Sequence, residues 1–240
     1  MQLTLEGKTI DQVAIDRIRE WEPPEGYYLG FSGGVDSVVT EHLAKRSDVK
    51  YEAHYNVSPI DPPDIWAFIK QHYPHVVWDI HAKGFWRRFM SEGPPMRTSR
   101  WCCSLIKEAG GEGRVKLLGM RRQESTRRSH YQVHEMYCPL EHTEWVLPIV
   151  DWSRSAVWQY VREWNLPYCS LYNEGYQRLG CVLCPFESPQ TTQRNIKRYP
   201  KIAHNWRTAM DRYFQLRIER GTPLPFASSQ EFWEWWISRK

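Results

Sequence analysis

Residues 29–37, LGFSGGVDS, carry the most explicit chemistry in the chain. A nucleotide phosphate needs inward-pointing backbone N–H groups, no obstructing side chain, and a helix N-terminus behind them. Ser32, Gly33, Gly34, Val35, Asp36 and Ser37 supply that set. The two glycines permit close approach, Ser32 and Ser37 carry donors, and Asp36 can hold Mg2+ against a pyrophosphate. No Gly-Lys-Ser/Thr follows at Walker spacing and no GxGxxG is present, which sets P-loop kinases and dinucleotide enzymes aside. The alternative is an ordinary Gly-Gly turn in which Asp36 and Ser37 cap the following helix.

Six cysteines form the second constellation. Cys102 and Cys103 are adjacent in RWCCSLIK, and Cys181 and Cys184 make a CxxC turn in GCVLCP. Together they offer four thiolates to a metal centre. Zinc usually takes two CxxC-like knuckles, whereas a [4Fe–4S] cube better tolerates a directly adjacent pair, so the cluster is favoured and zinc stands second. Cys138 and Cys169 remain as small core residues or as thiols that carry sulfur. A third group, Arg121, Arg122, Arg127 and Arg128 in GMRRQESTRR, follows a strand-like run, where open α/β sheets bind ligands. Guanidinium forks suit phosphate or sulfate, with solvated surface charge as the alternative. His130 and His134 are nearby candidates for proton transfer.

These residues need a scaffold. Runs at 27–31, 51–57, 76–80, 115–120 and 145–150 read as strands, with helical patterns at 10–21, 35–45, 63–72, 85–90, 102–109 and 153–164. The alternation predicts an α/β fold: an open, mostly parallel twisted sheet with helices on both faces. After Pro185 the chain turns polar and helical, at 190–198, 202–220 and 229–239. The expected division is a helical lead-in over 1–24, a nucleotide-binding region over 25–186 and a helical extension over 187–240. A net charge of +4 suits an anionic ligand without demanding one. No basic segment followed by an apolar run opens the chain and no stretch nears ~18 apolar residues, so a soluble cytoplasmic protein with reduced thiols and no membrane contact is expected.

Together, SGGVDS, RWCCSLIK, GMRRQESTRR and LPIVDWSRSAVWQYVREWNLPYCSLYNEGYQRLGCVLCPF resemble the phosphoadenosine phosphosulfate (PAPS) reductase family across residues 27–186, and SGGVDS resembles the PP-loop of ATP pyrophosphatases. The resemblance implies a PP-loop, HUP-like fold and, as in adenylyl-sulfate reductases, a [4Fe–4S] cluster on Cys102, Cys103, Cys181 and Cys184. It places Lys107 and Arg121 near cluster or nucleotide. Asp36, Lys107, Arg121 and Arg128 are then the catalytic candidates, and Ser32, Gly33, Gly34, Asp36, Ser37 and Arg121 the nucleotide-binding ones. Two departures point to ATP rather than activated sulfate: no cysteine follows Cys184, where reductases carry a tail nucleophile, and the loop keeps the full SGGxDS. The leading expectation is an ATP pyrophosphatase adenylating an acceptor for sulfur transfer, of the nucleic-acid thiolation or phosphorothioation type. Expected partners are adenine nucleotide, a sulfur donor such as a cysteine desulfurase, a nucleic acid, and further copies of the chain in a homo-oligomer. The competing readings are a sulfonucleotide reductase using an internal or partner thiol, and a non-catalytic nucleotide and Fe–S binding subunit.

Overall fold

The computed structural model describes residues 7–80, 84–137 and 143–238. The chain forms two compact units, each assembled from separated segments. The first comprises Met1–Asn56, Asp64–Asp79 and Gly110–Leu179; the second comprises Val57–Pro63, Ile80–Ala109 and Gly180–Lys240.

The first unit holds a six-stranded sheet in the order β3-β2-β1-β4-β6-β5. The strands are β1 (Tyr27–Gly30), β2 (Tyr51–Asn56), β3 (Val77–Asp79), β4 (Lys116–Leu118), β5 (His134–Tyr137) and β6 (Thr143–Val146). All neighbouring pairs are parallel except β5 with β6. β1 is central and wholly apolar in its first three residues, as a strand covered on both faces must be. Tyr27, Leu29, Ala53, Tyr55 and Leu117 are buried along it and its neighbours. Helix α2 (Val35–Ser47) lies against α1 (Ile10–Glu20), α5 (Arg154–Glu163) and β4. Ser153 caps α5 by accepting from the Ala156 N–H, as its residue type predicts. α3 (Pro63–His72) matches its sequence pattern at both ends and turns Ile65 and Ile69 inward.

Three expectations shift. The strand read at 145–150 is β6 and ends at Val146, because Pro148 supplies no N–H to a ladder and residues 147–150 turn. β5 was not anticipated, since its HEMY carries no run of β-branched residues. The helix read at 102–109 is one π-type turn over Cys103–Lys107.

The second unit is helical: α4 (Phe85–Glu92), α6 (Pro189–Arg198), α7 (Pro200–Glu219) and α8 (Ser229–Ser238). Its core is aromatic. Trp206 is fully buried, meets Phe85, Trp86, Phe89 and Trp236, and donates its indole N–H to the Val182 carbonyl at 3.2 Å. The tryptophans of the last helix therefore serve packing first: Trp236 is buried and donates to the Pro95 carbonyl. No described helix is long and apolar enough to cross a membrane.

Candidate functional site

The phosphate loop joins β1 to α2 in the first unit. Gly33 adopts φ +75°, which only glycine takes without strain, and a Cβ there would stand 2.9 Å from Ile65 Cγ2. Gly34 is the extended N-cap of α2. The Ser37 hydroxyl staples the loop: it accepts from the Ser32 N–H at 3.2 Å and donates to the Gly34 carbonyl at 2.8 Å. Among the described residues the N–H groups of Gly33, Asp36 and Ser37 have no protein acceptor. Three unengaged amides around a left-handed glycine at a helix start form an anion-binding concavity. The fourth, Val35 N–H, donates to the Tyr172 hydroxyl at 3.1 Å. Burial pushes that phenol up to about 12, so it remains protonated at neutral pH.

β4 brings the basic segment to the same loop. Gly119 makes this possible, because a Cβ there would fall 2.6 Å from the Asp36 carbonyl oxygen. Arg121 then donates Nε to Asp36 Oδ1 at 2.6 Å and an Nη to the Trp152 carbonyl at 3.4 Å. Burial raises the Asp36 carboxyl above its ordinary range, and the Arg121 guanidinium holds part of that rise back. Asp36 and Arg121, both site candidates from the sequence, are thus brought together, and each is engaged by the other.

The remaining arginines are differently used. Arg122 donates Nε to the Tyr131 carbonyl at 2.6 Å, and Arg128 pairs with Glu124, whose other oxygen accepts from the Arg121 N–H at 2.9 Å. Arg127 is exposed. His134 stacks on Trp21 with centroids 4.0 Å apart and lies 3.1 Å from Glu144, which makes it a fastening of the β5–β6 edge. Beside this segment a cleft of ≈ 250 Å³ is lined by Arg122, Gln123, Val150, Asp151, Trp152 and Ser153.

The four cysteines and Lys107 belong to the second unit. The CxxC turn is built by Leu183, whose φ of 60° is unusual for a residue with a side chain, and by the Val182 N–H donating to the Ile60 carbonyl at 2.7 Å. The Cys102–Cys103 pair interacts directly: a hydrogen bond between them pushes the Cys102 thiol up and pulls Cys103 down, helped by Arg100 beside Cys103. The charges of Cys181 and Cys184 add to the upward push on Cys102. Burial pushes the Cys181 thiol up, and that thiol donates to Asp61 Oδ1 at 3.4 Å. Asp61 also accepts from Lys107 Nζ at 2.5 Å, although its own side chain is only 1% exposed. Burial alone would lower Lys107, but the Asp61 carboxylate and nearby thiols raise it above its ordinary value.

Among the described residues no three His, Cys, Asp or Glu side chains are grouped so that they could hold a metal ion. A [4Fe–4S] cluster, or a zinc ion, is therefore a proposal that rests on the type of the four side chains and on Lys107 and Arg100 near them, cations that suit a negatively charged, thiolate-ligated group. Cys169 is fully buried, and Cys138 lies outside the described residues. Asp61, Gly119 and Tyr172 were missed from sequence: an Asp before Pro-Pro, a Gly after a strand and a Tyr in a turn have no local signature of these contacts.

The sequence profile of the phosphoadenosine phosphosulfate reductase domain matches residues 26–187. An uncharacterized protein of Methanocaldococcus jannaschii is 28% identical over 217 residues, covering 85% of this chain and 50% of its own. This chain thus spans about half the length of that relative. Adenosine 5'-phosphosulfate reductase 2 of Bacillus subtilis is 32% identical over 81 residues, 34% of either chain. Among solved structures, phosphoadenylyl-sulfate reductase from Candida auris, in a phosphate complex, superposes with a TM-score of 0.53 at 16% identity, covering 75% of this chain and 97% of that one. That likeness establishes the shared fold.

Proposed function

Because the chain belongs to the phosphoadenosine phosphosulfate reductase domain family, we propose that it is a PP-loop ATP pyrophosphatase that adenylates an acceptor oxygen so that sulfur can replace it. The observation that carries this reading is the intact SGGVDS loop with the Gly33, Asp36 and Ser37 N–H groups unengaged among the described residues.

The acceptor oxygen attacks the ATP α-phosphorus, the bond to the bridging oxygen breaks, and pyrophosphate leaves. The Gly33, Asp36 and Ser37 N–H groups bind the departing pyrophosphate, Ser32 and Gly34 complete the loop around it and add their donors as they exchange their present partners, and α2 directs its positive end there. Arg121 exchanges Asp36 for phosphate oxygens, which frees the Asp36 carboxylate for Mg2+ on the pyrophosphate. Arg128, steadied by Glu124, neutralises charge developing on the phosphates. A sulfur nucleophile then displaces AMP from the activated carbon or phosphorus centre. Cys102, Cys103, Cys181 and Cys184 would hold a [4Fe–4S] cluster through one thiolate per iron; it would supply redox chemistry, and could take sulfide only at an iron from which one of the four thiolates has withdrawn. Asp61 would orient Cys181, and Lys107, paired with Asp61, would offset negative charge around the quartet. A sulfur-donor protein such as a cysteine desulfurase, a nucleic-acid acceptor, a homo-oligomeric assembly and a cytoplasmic setting belong to the same reading.

The test is anaerobic purification with iron and sulfide quantitation, followed by pyrophosphate-release assays on ATP and on PAPS. Release from ATP, with about four irons per chain, is expected. Absence of both overturns the reading. The stretch shared with adenosine 5'-phosphosulfate reductase favours a second reading, sulfonucleotide reduction. With Cys169 fully buried, its thiol would come from elsewhere, and thiol-dependent sulfite release from PAPS identifies it.

A further inference from the structure

Charge is divided unevenly along the chain. The segments of the second unit contain sixteen Lys and Arg against eight Asp and Glu, a formal +8, whereas those of the first contain sixteen against twenty, a formal −4. The unit that carries the cysteines is therefore the polycationic one. Its large apolar side chains are mostly internal, but Phe186, two residues after Cys184, is 50% exposed. Two guanidiniums flank this ring, Arg100 at 5.3 Å and Arg97 at 5.9 Å from its centroid. Arg97 also donates Nε to the Pro185 carbonyl at 2.9 Å, which fixes the backbone that presents the ring. Arg97 and Arg100 are themselves exposed; Arg100 also reaches Glu108 Oε1 at 3.5 Å and lies beside Cys103, contacts it exchanges for a phosphate, so Arg97 is the cation the test removes. An aromatic face left in water between two cations contributes little to a core.

We infer that Phe186, held between Arg97 and Arg100, is a stacking platform for an unpaired base of a single-stranded nucleic acid whose phosphates the two guanidiniums take. A π-face accepts any splayed base, and the guanidiniums that lie over the ring in the free protein swing out to the phosphates on either side of that base. Paired bases cannot reach a lone ring, so the platform selects single strands over duplex. An acidic protein would use the charge but leave the ring idle. The inference rests on the acceptor being a nucleic acid and names its class; the strand it holds passes the segment that bears Cys184.

The test measures fluorescence anisotropy of a labelled single-stranded RNA of about a dozen nucleotides, and of the same strand annealed to its complement, on the full chain. Phe186→Ala is expected to weaken single-strand binding about tenfold, with Phe186→Trp restoring it. Arg97→Gln is expected to flatten the slope of log affinity against log salt by about 0.7. Circular dichroism and thermal unfolding report whether each variant is folded, and the tryptophan variant carries the result if the alanine variant is not. Equal affinity for duplex, Phe186→Ala binding within about twofold of the parent, or failure of the tryptophan variant to bind overturns the platform. So does displacement of the RNA by polyglutamate with equal potency in parent and Phe186→Ala, which marks a purely electrostatic protein-docking surface. Pyrophosphate release from ATP is scored separately. Its failure with ring-dependent binding intact removes the adenylation reading alone, and the converse removes the platform alone.

Discussion

In the proposed phosphate site, Gly33 is the residue whose backbone conformation the loop depends on. Its φ of +75° and the 2.9 Å approach of Ile65 Cγ2 leave no room for a methyl group. Gly33→Ala is expected to cost about 1–3 kcal/mol of stability and to abolish pyrophosphate release from ATP. Urea unfolding and the release assay check both, and unchanged turnover in a folded variant would move the phosphate site elsewhere. At this scale the sequence was most informative where chemistry needs a local pattern. The loop, the CxxC and the position of Arg121 could be read directly, because each is a few consecutive residues with one geometric solution. The partners of the arginines could not. Charge runs do not say which carboxylate answers them, and Glu124 and Asp36 took two guanidiniums that had been read as free for phosphate.

Helices and strands were recoverable to the extent that their periodicity is local. α3 was read as a helical pattern, and α5 from its apolar spacing and the Ser153 cap. β5 escaped because an edge strand needs little apolar surface, and the helix read at 102–109 proved to be a π-wound turn over Cys103–Lys107, a winding that sequence pattern does not distinguish. The docking of α1 is an element-scale property with a pH dependence. Arg17 grips Asp151 through both oxygens at 2.8 and 2.7 Å, and Arg46 reaches Asp11 at 2.7 Å. Burial raises both carboxyls, but hydrogen bonds from Arg17 to Asp151, and from Thr9 and Arg46 to Asp11, outweigh it and leave them below the ordinary 3.8. A carboxyl depressed in the folded state contributes stability that is present above its unfolded value and lost as pH falls through the folded one. Hydrogen exchange in Ile10–Glu20 is therefore expected to accelerate as pH drops below 3.8, beyond the intrinsic pH effect on exchange. Arg17→Ala should lower protection already at neutral pH, by about 0.5–1 kcal/mol for a partly exposed pair, and flatten the acid dependence, because the Asp151 carboxyl is no longer held down. Protection that follows only the intrinsic rate would show that these pairs do not anchor α1.

For the whole molecule, the second unit was the least readable feature. Its three segments are joined by contacts such as Val182 N–H to Ile60 carbonyl and Trp206 to Trp236, which link positions far apart in the chain and have no local signature. A metal centre on its four cysteines would bind the folded unit in preference to the unfolded chain, and so contribute folding free energy there. Removing iron by anaerobic chelation is expected to lower hydrogen-exchange protection around Cys103–Lys107 and in the 181–184 turn, and reconstitution to restore it. Exchange that ignores iron content would dissociate the quartet from a metal.

The interrupted make-up of that unit also has a consequence in time. Cys102 and Cys103 emerge from the ribosome about 80 residues before Cys181, an interval of roughly 4–16 s at typical synthesis rates. Throughout it the first pair has no partners, and the Trp206 core that completes the unit is still unmade. Iron delivered early would meet two bare thiols, vulnerable to oxidation and to the wrong metal. On the proposed reading, a centre on all four thiols can form only after Cys184 has been made and the CxxC turn has met the first pair, so its assembly is set by the order of synthesis and by the supply of iron and sulfide after that point.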